Sequence, residues 1–149
     1  MQKRVLALLA ALPMFAQAES EMGWRSADWS NPQFSFPHEQ GEIFRERDNL
    51  YRLEETFQRE VRPMGPVSPQ AANFWRFCVI SRFAATKGFV GWAFVDGPST
   101  KQTPTSSTMY FQLANEATEL QGPSQGFNAS AGFRDLCGKF LRPEYHWWK

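Results

Sequence analysis

The sequence predicts a single α+β domain: a small antiparallel sheet of two or three strands packed against two or three helices, with an extended aromatic N-terminal arm. Three observations carry this expectation. The stretch from Ala71 to Ala85 is apolar almost all the way round and reads as a core helix. Phe89 to Val95 is apolar on both faces, and Thr108 to Leu113 alternates with period two, so both read as strands. The length, 149 residues, fits one domain able to bury about two-thirds of its unfolded surface.

The chain begins with an address. Lys3 and Arg4 precede an apolar run from Val5 to Leu12, Pro13 ends it, and Ala16-Gln17-Ala18 supplies the small-x-small pattern of a signal peptidase site. Residues 1–18 are therefore expected to be a cleavable signal peptide of bacterial type, cut after Ala18, with 19–149 as the mature domain. No cysteine at the cleavage site offers a lipid attachment point, so the product is expected in the periplasm or outside the cell.

The mature segments follow in order. Residues 19–38 hold Trp24, Trp29, Phe34 and Phe36 without a helical period and read as the arm. Residues 40–61 place Ile43, Leu50, Phe57 and Val61 at helical spacing beside a charged face, with Asp48–Arg52 and Glu55–Arg59 four apart, and read as a charged helix ended by Pro63. Glu42 and Glu46 share one face of that helix, yet nothing nearby would desolvate them for acid–base work. Pro63 to Gln70 is a short stiff linker. Ser68 as N-cap and Pro69 at the first turn open the core helix, expected over 70–87, and Gly88 closes it.

The two strands come next, joined by a polar loop over 98–106, and are expected to pair antiparallel. Glu119 to Gln121 is a possible short third strand. A last helix is expected over 128–141, with Phe133, Leu136, Cys137, Phe140 and Leu141 as its stripe. Pro143 ends it, and Tyr145 to Lys149 form an aromatic tail. Asn128-Ala129-Ser130 matches a glycosylation acceptor pattern, which in a bacterial chain reads as chance.

Composition narrows the function. Sixteen basic residues against fifteen acidic ones give a formal charge of +1, a balance that argues against a nucleic-acid partner. No apolar run reaches the length of a membrane span. Cys78 and Cys137 are the two cysteines; in an exported domain such a pair is expected to form a disulfide, which leaves no thiolate nucleophile. No CxxC and no clustered histidines point to a metal, and no cofactor motif is present. The two histidines, His38 and His146, are the available bases for a Ser-His-acid arrangement, and both sit in segments without strong secondary structure. No catalytic set is therefore assigned.

What remains is an excess of rings. Phe, Trp and Tyr make up 15% of the chain, more than a small domain is expected to hide entirely, and exposed rings favour protein recognition. The expectation is a non-enzymatic envelope protein that binds a protein partner, as an accessory subunit or as an inhibitor or immunity-type protein, through Trp24, Trp29 and Trp147. The alternatives are a small secreted hydrolase using His38 or His146, and a binder of a small apolar ligand between sheet and helices.

Overall fold

The computed structural model describes residues 18–25, 38–58, 60–61, 63, 68–122, 124 and 126–138. The α+β class holds, but the sheet is far larger than the expected two or three strands: the described residues form seven strands, paired antiparallel, and two helices. Three of the extra strands lie in 19–25 and 38–57, where an arm and a helix are expected, and two short ones lie at 101–102 and 128–129.

β1 (Glu19–Arg25), β2 (His38–Arg47) and β3 (Leu50–Phe57) form an antiparallel meander. The supposed charged helix is thus the β2–β3 hairpin. Two facts explain the reversal. Tyr51, Leu53, Glu55 and Phe57 alternate with Arg52, Glu54 and Thr56, so burial in β3 has period two. Asp48 adopts φ 38, a left-handed conformation that Asp tolerates at a tight turn. The long charged residues favour a helix by intrinsic propensity, and tertiary burial of one strand face overrides them.

From β3 the chain passes into α1 (Pro69–Thr86). The Ser68 hydroxyl accepts the Ala71 N–H, and Pro69 opens the first turn, as expected. At the far end the Gly88 N–H donates to the Ala85 carbonyl and the Phe89 N–H to the Ala84 carbonyl, a Schellman closure in which Gly88 takes φ 80.

β4 (Gly91–Val95), β5 (Lys101–Gln102) and β6 (Ser106–Ala114) follow. β4 pairs antiparallel with β6, as expected, while β5 sits within the polar loop and also pairs with β6. The segment around Glu119 is a 3-10 turn over Ala117–Glu119 rather than a strand. β7 (Asn128–Ala129) adds two residues to β4, and α2 (Ala131–Gly138) is the described part of the last helix. The last helix therefore starts at Ala131 rather than at 128, and Asn128 belongs to a strand; its side chain donates to the Gly126 carbonyl at 3.3 Å.

The sheet order is β1-β2-β3-β6-β4-β7. Because β6 lies between them, β3 and β4 run parallel, and α1 is the crossover that such a pair requires. α1 lies on one face, where Tyr51, Leu53, Trp92, Phe94, Phe111 and Leu113 meet Trp75, Val79, Ile80 and Phe83. Trp75 and Trp92 are fully buried, and the Trp92 indole donates to Ser81 at 2.9 Å. α2 packs beside α1, with the Phe77 and Phe133 ring centroids 5.2 Å apart and a Cys78–Cys137 disulfide joining the two helices across 5.6 Å between Cα atoms. The expected bridge is present.

Candidate functional site

The opposite face of the sheet is divided. Over β4 and β6 it is covered by loops. Gly97 sits against the Tyr110 ring so closely that a Cβ there would fall 2.0 Å from a ring carbon, and Gln112 bonds to the backbone of Glu119 and Gln121. Tyr110 and Gln112 are buried as a result. Over β1, β2 and β3 neither helix nor loop lies on this face among the described residues. There Phe44, Arg52, Glu54 and Thr56 are half-exposed and Gln40 is exposed.

A depression of about 540 Å³ opens on the sheet where the start of β2 and of β6 meet the end of β3. Gly23 and Gly41 contribute no side chains to it, which keeps its β1–β2 side shallow. Gln40, Glu42, Glu54, Thr56, Ser106 and Thr108 supply polar groups on this face, and the buried Glu55 and Ser107 between them also border the depression. Their alignment follows from register: Gln40 is opposite Thr56, Glu42 opposite Glu54, Glu54 opposite Thr108, and Thr56 opposite Ser106. Two carboxylates thus face each other on neighbouring strands, an arrangement of like charges that weakens a sheet unless each is partnered. Glu42 accepts a hydrogen bond from the Ser20 hydroxyl, and Glu54 is paired with Arg52.

Arg52 also donates to Glu46 at 2.6 Å and lies 4.6 Å from the centre of the Phe44 ring. Partial burial acts to lower its pKa, but the Glu46 hydrogen bond and the Glu54 charge outweigh it and hold the guanidinium above its ordinary value. Arg52 is therefore a fixed cation beside Glu54.

Behind the wall lies a buried polar cluster. Glu55, Arg76 and Ser107 are all at least nine-tenths buried. The Arg76 Nε donates to Glu55 Oε2 at 2.6 Å, Nη1 to Asn73 Oδ1 at 2.7 Å and Nη2 to Ser107 Oγ at 3.1 Å. Ser107 Oγ in turn donates to Glu55 Oε2 at 2.7 Å. One guanidinium on α1 thereby reaches both strands of the wall.

Trp24 has its backbone in β1 opposite Gly41, while Trp29 and Trp147 lie outside the described residues. His38 opens β2 opposite Phe57, and His146 lies outside the described residues. Glu42 and Glu46, imagined as neighbours on a helix, lie on one face of β2, and the carboxylate facing Glu42 is that of Glu54. The polar row is not legible in the sequence because its members come from three strands, the β2–β3 hairpin and the distant β6. The alternation Glu54-Glu55-Thr56 was its one local signal. Among the described residues no group of three or more His, Cys, Asp or Glu is placed to hold a metal, and no helix is long and apolar enough to cross a membrane.

Comparison with protein-family models, with curated protein sequences and with solved structures finds no match to this chain.

Proposed function

We propose that this chain is an exported, non-enzymatic protein that binds a protein partner in the bacterial envelope across the uncovered half of its sheet. The single observation that carries the reading is the 540 Å³ polar depression between β1, β2, β3 and β6, on the half of the face that no described segment covers. Its polar lining suits a surface that must be solvated when free and hydrogen-bonded when occupied. Glu42, which accepts from the Ser20 hydroxyl, suits a partner that presents a Lys or Arg side chain, while Glu54 beside it is already paired with Arg52. Export is supported by the order of charged start, apolar run and Ala16-Gln17-Ala18, and by the Cys78–Cys137 disulfide, which persists in oxidising compartments.

The test fills the depression. The nearest non-neighbouring atom to a Cβ at Gly23 is the Gly41 carbonyl at 3.8 Å, so a Cβ there meets ordinary van der Waals contact. Gly23→Trp and Glu42→Lys in the mature chain are expected to abolish capture of a partner from envelope extract that the wild-type chain retains, with circular dichroism unchanged. Equal capture by folded variants and wild type overturns the reading. Mass measurement of the natural product is expected to place its first residue at Glu19.

A further inference from the structure

We infer that Arg76 is a positioning residue for this depression: its guanidinium clamps the two strands of the wall from behind and sets the spacing of the polar row in front. The argument begins with the period of a strand. In β3, Glu54 and Thr56 face the depression and Glu55 between them turns to α1. In β6, Ser106 and Thr108 do the same around Ser107. The side chains that hold the wall are thus the immediate neighbours of those that form it. Glu55 and Ser107 are directly opposite in register, bond to each other at 2.7 Å, and are both held by Arg76. Phe57, one position beyond Thr56, lies under the same guanidinium, 5.6 Å from its carbon to the ring centre.

A buried ion pair is a poor device for stability, because desolvating both charges offsets most of their attraction, and apolar residues of similar volume often serve as well. Its distinctive product is geometry. The planar guanidinium fork fixes three acceptors at once, on α1, β3 and β6. An apolar replacement would pack the same space without fixing register, and at this end of the sheet the partner strands carry polar residues that do not specify register by burial. The functional consequence rests on the binding reading above; the mechanical claim does not.

The experiment is amide hydrogen exchange on the full mature chain, comparing wild type with Glu55→Leu/Arg76→Met. The expected result is a folded protein with its thermal midpoint retained. Exchange should be at least tenfold faster at 54–57 and 106–108, unchanged at Trp92 to Phe94, and partner capture should be lost. Unchanged exchange at 54–57 and 106–108 in the folded double variant overturns the inference. Should that variant fail to fold, Ser107→Ala decides: it removes one link while leaving the ion pair, and is expected to speed exchange at 106–108 alone, whereas uniform protection refutes the clamp. Failure of the binding reading is separately visible as undiminished capture by Gly23→Trp, which leaves Arg76 and its partners in place.

Discussion

Tyr51 shows how one side chain can be tested apart from the rest. Its ring lies 4.9 Å from Phe83 and 5.6 Å from Phe111, and only 3% of the residue is exposed. Burial pushes its phenol above the ordinary value; nearby Lys87 opposes this and Glu21 adds to it. The phenol is protonated in both folded and unfolded chains below pH about 10, so its contribution to stability is complete there. As pH rises through the higher folded value, the unfolded chain has already ionised and that contribution is lost. Tyr51→Phe has no such proton to lose. Urea unfolding at pH 8 and pH 11 is expected to show a smaller alkaline loss for the variant than for the wild type, and equal losses would refute the burial argument.

At the scale of elements, α1 is a helix whose ends are specified locally. Replacing Ser68 by Ala leaves the Ala71 N–H without its cap and is expected to lower stability by about 1 kcal/mol. Replacing Gly88 by Ala forces a side chain into φ 80, where the space is open but the backbone is not, and is expected to lower it by about 1 kcal/mol as well. The two losses should add, because the sites sit at opposite ends of an 18-residue helix; denaturant midpoints of the single and double variants check this. The β2–β3 hairpin behaves otherwise. Its turn is held by Asp48 at φ 38 and by the Arg45 side chain donating to the Asp48 carbonyl at 3.3 Å, but its register is held by Ile43, Tyr51 and Leu53 buried under α1. Such a segment is a strand only within the folded molecule. A peptide of 40–57 is expected to show no strand signal by circular dichroism on its own.

For the whole molecule, the Cys78–Cys137 bridge closes 59 residues, which the chain-entropy account equates with about 4 kcal/mol of stability. It ties α2 to α1, and α2 has one buried residue, Cys137 itself, with Phe133 packed partly against the core. The double change Cys78→Ala/Cys137→Ala is therefore expected to lower stability by about 2–5 kcal/mol and to free α2 first. Exchange protection lost in 131–138 before the sheet would confirm the order; simultaneous loss throughout would contradict it. The sheet also distributes its two faces unequally. One face is spent on the core beneath α1, and on the other the loops that cover Tyr110 and Gln112 leave Arg52, Glu54 and Thr56 partly exposed.

The sequence by itself determined α1 from cap to cap, the β4–β6 pairing, the disulfide and the α+β class. Each of those signals is local, or is set by a composition that admits one outcome: Ser68-Pro69 and Gly88 act within a turn, the apolar β4 run must be covered wherever it lies, and two cysteines in one domain have one way to pair. Only the tertiary structure decided that 40–57 is a hairpin and that 19–25 is a strand, because the charged residues there suit a helix and their burial comes from α1 and β6, supplied by later parts of the chain. Glu55 is the sharpest case. It reads as solvated surface until Arg76, 21 residues on, and Ser107, 52 residues on, close around it. The depression shares that origin: Gln40, Glu42, Glu54, Thr56, Ser106 and Thr108 become one wall only when strand register brings them together, and register is a property of the assembled sheet.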